Sequence, residues 1–343
     1  MIAAADLEHC REAIRTGSLS FHAASRVLPD RVRNPALALY AFCRVADDAV
    51  DDGIDKTSEV LGLRDRLDLV YSGRPRNAPA DRAFAAVVEE FDMPRALPEA
   101  LLEGFAWDAV GRRYDTLSGV FDYSARVAAA VGVMMCVLMR VRDPDALARA
   151  CDLGLAMQLT NIARDVGEDA RANRIFLPLD WFAEAGVDPE AFLADPRPNP
   201  VIRDMTRRLL GVAEGLYARS AAGVPSLPLS CRPGIFAAGS IYAGIGAAVA
   251  RNNHDSVTQR ACTGSSRKMW WLAQSVLRAL VSTVTPQSAF VHARPEPEVA
   301  FLVDAAAHQK TTFSRSDALL AVLAQLEARD RARFNRRLDA RRA

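Results

Sequence analysis

Residues 154–178 read GLAMQLTNIARDVGEDARANRIFLP, a run in which apolar residues recur every three or four positions and carboxylates, amides and guanidiniums recur on the same period. That period is helical. Positions three, four, seven and eleven apart share a face, so Gln158, Asn161, Asp165 and Asp169 line up with Arg164 and Glu168 at the edges, while Leu155, Leu159 and Ile162 occupy the opposite side. Two like charges four residues apart repel each other, and burying carboxylates costs far more unless a counter-charge is supplied. A hard divalent cation is an economical counter-charge. Taken alone, the spacing also fits a solvated acidic face with Arg164 and Arg171 as salt-bridge partners.

A second helix repeats the theme about a hundred residues earlier. Residues 34–52, NPALALYAFCRVADDAVDD, place Pro35 in a first turn and put Tyr40, Arg44, Asp47 and Asp51 on one face through steps of four, three and four. Asp48 and Asp52 form a second pair, rotated by about a quarter turn. Two aspartate-bearing helices facing each other across a bundle would hold Mg²⁺ bridging a diphosphate, because Mg²⁺ takes one or two carboxylates plus substrate phosphates in preference to a protein cage. Arg44, Arg164 and Arg260 are further phosphate partners in such a cleft.

The rest of the chain sets bounds. Its 343 residues carry 43 basic and 42 acidic side chains, so no global charge points to nucleic acid, and half the residues are hydrophobic, as in a globular protein. Six cysteines without a CxxC pair, and five histidines not clustered with them, suggest reduced thiols in a cytoplasmic protein. The N-terminal MIAAADLEHCREAIR has no basic segment leading into an apolar core, so no secretory signal is expected. No alternating strand run is found, and the fold class expected is all-α, a single large helical bundle around a central apolar cavity. Apolar runs at Val127–Met139 and Ile235–Ala250 are shorter than the roughly 18 residues of a spanning helix and suggest buried helices. Ala128, Ala129, Ala130, Gly244 and Gly246 either leave room there for long chains or allow close helix packing. Residues 1–285 form the expected catalytic domain, and Pro286–Pro297 is expected to be a linker into a C-terminal helical extension over 286–343. The arginines from Arg329 to Arg342 either attract anionic lipid or solvate the tail.

Three strings carry a family resemblance: YAFCRVADDAVDD at 40–52, QLTNIARDVGEDARANRIFLP at 158–178 and GSLSFHAASRVLP at 17–29. Together they resemble the signatures of head-to-head prenyl synthases of the squalene and phytoene synthase family, and most of all its bacterial carotenoid-pathway members. The resemblance implies the isoprenoid synthase fold. It also implies a reaction in which two geranylgeranyl diphosphates join through prephytoene diphosphate to give phytoene, with Mg²⁺ (or Mn²⁺) and without NADPH. Asp47, Asp51, Asp165 and Asp169 would be metal ligands assisted by Asn161 and Glu168. Ser18, Ser20, Tyr40, Arg44, Gln158, Tyr242 and Arg260 would touch the diphosphates or the cyclopropyl intermediate. So apolar a product implies peripheral contact with the inner face of the membrane and with other carotenoid enzymes.

One departure stands out. In YSARVAAAVG, residues 123–132, Tyr123 is kept, but a second tyrosine common in relatives is replaced by Arg126 and a glycine by Ala129. A guanidinium does not give up its proton in a protein, so Arg126 is expected to anchor released diphosphate, leaving Tyr40, Tyr242 or the diphosphate as base. Alternatives are a squalene or dehydrosqualene synthase acting on farnesyl diphosphate, a head-to-tail elongator or cyclase suggested by the DDAVD string, and a catalytically silent assembly subunit. Asp47→Ala and Asp165→Ala each remove a carboxylate from one aspartate helix. Both variants are expected to lose at least about a hundredfold in prenyl condensation, measured as product per enzyme, whereas a silent subunit has nothing to lose.

Overall fold

Each long helix starts and stops on local chemistry. The computed structural model describes residues 2–52 and 56–307, excepting the side chains of 19–20, 46–52, 56–59 and 265. In chain order the elements begin with α1 (Ala4–Gly17), α2 (Leu19–Ser25), α3 (Asp30–Asp52), α4 (Lys56–Tyr71), α5 (Pro79–Phe91) and α6 (Ala96–Ala109). There follow α7 (Leu117–Ser124), α8 (Ala130–Leu138), α9 (Pro144–Arg171), α10 (Leu179–Glu184) and α11 (Pro189–Ala194). The last are α12 (Pro200–Ala221), α13 (Arg232–Arg251), α14 (Ser265–Val281) and α15 (Ala300–Ala307). No strand occurs among the described residues. The all-α expectation holds.

Helix α9 is the hub. Asp143 caps it by accepting a hydrogen bond from the Ala146 N–H, Pro144 occupies the first turn, and the chain leaves through Asn173 at φ 59°. It packs against α8, α12, α13 and α15. Its closest approach is to the helix Leu117–Leu138, which is continuous except for a π turn at Ala125–Ala129 joining α7 to α8. A Cβ on Gly154 would lie 2.5 Å from the Ala129 Cα, and one on Gly132 would lie 2.8 Å from the Ala150 carbonyl oxygen. The two helices therefore cross with backbones in contact, which needs glycine on one side and alanine on the other.

That crossing resolves the small residues. Ala129 and Ala130 are fully buried packing positions, while Ala128 lines the central cavity. Gly244 is a packing position as well, because the Trp271 ring lies 2.0 Å from where its Cβ would be, and Gly246 faces Leu210 and Thr160. Neither glycine leaves room for a chain. The helices Leu117–Leu138 and Arg232–Arg251 are long and apolar enough to cross a bilayer, unlike the shorter runs read from sequence, yet both pack into the bundle. The difference arises because each helix continues through flanking residues outside its apolar run, residues 117–126 in one and 232–234 in the other.

The start of the segment read as a linker and extension packs on the bundle. Arg149, only 1% exposed, donates to Asp152 Oδ2 at 2.6 Å and to the carbonyls of Phe290, Val291 and Ala293 at 2.6, 3.1 and 2.8 Å. Arg219 donates to the same Asp152 oxygen at 3.1 Å and to the Arg294 carbonyl at 3.0 Å, and also pairs with Glu296. Residues 286–307 thus belong to the same compact unit as the helices before them. Residues 308–343, which include the arginine-rich tail, lie outside the described residues. Burial pushes the Asp152 carboxyl up to about 6 even though both guanidiniums pull it down. Removing that carboxylate leaves a buried cation unpaired. Asp152→Ala is expected to lower stability by about 3–5 kcal/mol in urea denaturation, with Asp152→Asn costing less because it keeps a hydrogen-bond acceptor.

Candidate active site

A cavity of about 910 Å³ runs through the bundle between α1, α2, α3, α8, α9 and α13. On α9 its wall is a single helical stripe: Ala146, Arg149, Ala150, Leu153, Gly154, Met157, Gln158, Asn161, Arg164 and Asp165. At 1.5 Å per residue this stripe is roughly 28 Å long. It changes character along the way. Toward the α9 C-terminus it meets Ser18, Tyr40, Arg44, Asp108, Tyr242 and Arg260, whereas toward the N-terminus it meets Leu227, Ile235, Met139 and Leu28.

At the polar end Asp165 accepts from Arg164 Nε and from Arg260 Nε, both at 2.8 Å. Burial opposes its charge, but those hydrogen bonds outweigh burial and hold its carboxyl below the usual range. Arg260 also reaches Glu168 at 2.8 Å, on the exposed side of the helix. Asp169 is placed differently. Burial, then the neighbouring charge of Asp165, push its carboxyl up to about 7, with Glu168 and Asp108 adding to the effect. Asn161 donates to Gln158 Oε1 at 3.3 Å, and its own Oδ1 is buried without a hydrogen-bond partner.

Tyr40 lies directly on Gly17, whose absent Cβ would come 2.3 Å from the tyrosine hydroxyl. Phe21 connects Tyr40 and Tyr242, with ring centroids 6.4 and 5.7 Å away. Ser18 serves in two ways, lining the cavity and capping α2 by accepting from the Phe21 N–H at 3.3 Å. Of the residues expected from sequence, Ser18, Tyr40, Arg44, Gln158, Asn161, Arg164, Asp165, Tyr242 and Arg260 line one cavity. Asp169 and Glu168 are adjacent on α9 but do not line it. The side chains of Ser20, Asp47 and Asp51 lie outside the described residues.

Arg126 is set apart from the other expected residues. It is absent from the cavity wall and pairs with Glu103 at 2.8 Å and Asp122 at 2.6 Å, with its guanidinium 4.2 Å from the Trp107 ring centroid and 5.4 Å from that of Phe301. Its charge is already neutralised by two carboxylates, on the side where α6 and α15 pack. In this structure it ties α6 to the helix Leu117–Leu138 through Glu103 and Asp122.

The sequence profile of the squalene/phytoene synthase family matches residues 14–268. The chain belongs to the squalene/phytoene synthase family. Among its relatives, "Phytoene synthase" of Cereibacter sphaeroides is 67% identical, with 99% of each chain covered. "Phytoene synthase" of Rhodobacter capsulatus is also 67% identical, over 96% of this chain and 98% of that one. A solved dehydrosqualene synthase in complex with ligand is similar in fold, with a TM-score of 0.73 and 30% identity over 81% of this chain and 97% of that one. The isoprenoid synthase fold expected from sequence is thereby established, and the family makes this chain a prenyltransferase.

Two further residues of this family member's site were not singled out from sequence. Asp108, at the end of α6, lines the cavity and accepts from the Tyr123 hydroxyl at 2.9 Å. It stands in the plain helical string EGFAWDAV, where a single aspartate carries no signal. Phe21 was visible only as one apolar residue of the serine-containing string. The donor set fits a hard cation: Asn161 carries an unspent amide oxygen one turn before Asp165, and Asp169, one turn further on, is a carboxylate pushed up by burial and by the charge of Asp165. Among the described residues no three carboxylate, histidine or cysteine side chains converge on one ion. Mg²⁺ needs only one or two, the remaining ligands being water and phosphate.

Adding a methyl at Gly17 must displace the Tyr40 hydroxyl from the cavity wall. Gly17→Ala is expected to reduce turnover by about tenfold or more while the thermal melt shifts little, because the site depends on placement. Arg126→Tyr is expected to keep turnover within about threefold and to lose stability instead, read from the same melt.

Proposed function

We infer that this protein is a phytoene synthase that condenses two geranylgeranyl diphosphates head to head. The observation that carries the reading is the 67% identity to the Cereibacter sphaeroides protein over 99% of both chains. The cavity supports it: at about 910 Å³ it is near the top of the usual range for ligand sites, and it is charged at one end and apolar at the other, as a prenyl diphosphate is.

In this reading Arg44, Arg164 and Arg260 bind the diphosphate at the polar end, and Gln158 and Asn161 orient it through their amides. Asp165 and Asp169, with Glu168, Asn161 and the paired helix's Asp47 and Asp51, are the residues that would hold Mg²⁺. Bound there, Mg²⁺ neutralises charge developing on the departing diphosphate. Asp165 is already charged between two guanidiniums, so it needs no proton removed before it ligates.

Once an allylic diphosphate ionises, the cation must be kept from water and in one shape. Ala128, Val131, Met135 and Leu153 wall it with groups that cannot trap it. Tyr40 and Tyr242 present hydroxyls at the boundary between the two ends. Burial pushes Tyr242 up to about 12, so its hydroxyl stays protonated at neutral pH and acts as a donor. In this reading the final proton goes to the released diphosphate, held next to the cavity by the arginines. No reductant enters the proposed reaction.

Purified protein with Mg²⁺ and geranylgeranyl diphosphate, without NADPH, is expected to yield phytoene, identified by chromatography and mass. Chelation of the metal is expected to stop product formation. Farnesyl diphosphate turned over to squalene or dehydrosqualene, with the longer substrate untouched, would overturn the assignment.

A further inference from the structure

Large apolar side chains are not spread evenly over the surface. Of the thirteen that are exposed among the described residues, eight lie between Met269 and Phe290, on α14 and the turn that follows it. Trp270, Leu277 and Leu280 recur at steps of seven and three, so they form one stripe along the helix, with Val284 just past its end; Trp270, Leu277 and Val284 are 61, 63 and 82% exposed. The opposite face does the structural work: Trp271 fills the notch at Gly244, and Ser275 and Ala279 are buried. A contiguous apolar stripe of this kind on a folded chain marks an interaction surface.

Charge identifies the partner. From Ser256 to Pro295 the sequence contains no aspartate or glutamate, while Arg267, Lys268 and Arg278 stand on α14 itself. Neither Arg267 nor Lys268 has a carboxylate partner among the described residues. Two copies meeting through this face would bring cations together with no acidic residue to answer them, and symmetric self-association needs self-complementarity. An exposed tryptophan, an apolar helical stripe and flanking cations instead match the boundary of a bilayer bearing anionic headgroups.

We propose that the outer face of α14 is the surface by which this protein docks on an anionic lipid bilayer. Lipid acyl chains receive Trp270, Leu277 and Leu280, and headgroup phosphates receive Arg267 and Lys268. The location adds a purpose. Arg232 donates to the Ser282 hydroxyl at 3.1 Å and Gln287 to the Ser226 hydroxyl at 2.7 Å, tying the end of α14 to the loop and helix start that supply Val224, Leu227, Gly234 and Ile235 to the apolar end of the cavity. A bilayer docked there lies beside the end of the cavity remote from the diphosphate, where an apolar product would leave. That exit route rests on the phytoene assignment, whereas the docking surface rests on exposure and charge alone.

The test is flotation of the full chain, without substrate, on vesicles of phosphatidylcholine alone and of phosphatidylcholine with phosphatidylglycerol. The wild-type protein is expected to float with the anionic vesicles and much less with the neutral ones. The triple variant Trp270→Ser, Leu277→Ser, Leu280→Ser is expected to bind about tenfold more weakly, and Arg267→Glu with Lys268→Glu to lose the preference for anionic lipid. Both variants should retain the wild-type melting profile and product formation in detergent. If the triple variant melts differently, Trp270→Ser alone is read the same way. Unchanged flotation of the variants, no flotation of the wild type, or a wild-type dimer that the triple variant breaks without affecting flotation would each overturn the proposal. Because no substrate is present, failure of the phytoene assignment would leave this result untouched.

Discussion

Everything in this fold depends on α9 having to be core and active-site wall at once. One side carries Leu155, Leu159 and Ile162 into full burial, and the other carries amides and carboxylates into a cavity. A carboxylate in that position stays charged only if neighbouring groups compensate for lost water. Asp165 is compensated by Arg164 and Arg260, whereas at Asp169, one turn later, burial and the charge of Asp165 outweigh the pull of Arg174. The contrast leaves the polar end short of positive charge at the place where a cation and a phosphate would meet.

The same helix keeps the two ends of the cavity apart. Its contact with the π turn at Gly154 and Ala129 brings a second apolar helix against it without intervening side chains, and the cavity opens just beside that crossing. Charge is therefore confined to the C-terminal third of the α9 stripe, and the rest is hydrocarbon apart from Arg149. That guanidinium is turned toward Asp152 and three carbonyls, so at the far end its hydrogen bonds are directed into the protein and not across the cavity. For chemistry that creates a diphosphate anion and a carbocation from one molecule, such separation is the essential requirement.

Helix α14 solves a related problem on the outside. Its inner face is committed by Trp271 in the Gly244 notch, which fixes its rotation about its own axis and so determines which residues remain outside. The residues left outside are apolar and cationic, over a forty-residue span without an acidic side chain. A helix packed on a bundle is expected to turn a polar face to solvent, and here the outward face carries large apolar side chains as well as cations.

What the sequence by itself determined was the all-helical class and the alignment of Gln158, Asn161 and Asp165 on one face, while the family resemblance implied that Tyr40, Arg44, Tyr242 and Arg260 belong with them. Those follow from period and residue chemistry, which are local, and from motif strings long enough to be specific. Only the tertiary structure decided which face a lone residue presents. Arg126 and Val127 are neighbours in the chain, yet one packs against Trp107 and the other lines the cavity, because successive residues on a helix point about 100° apart and only packing decides which direction meets the cavity. Asp108 gives no sequence signal because its role comes from Tyr123 and Asp169, which reach it only through packing. The small residues divided in the same way: Ala128 faces space and Gly244 faces a ring, a distinction that depends on how two helices meet and that no single helix contains.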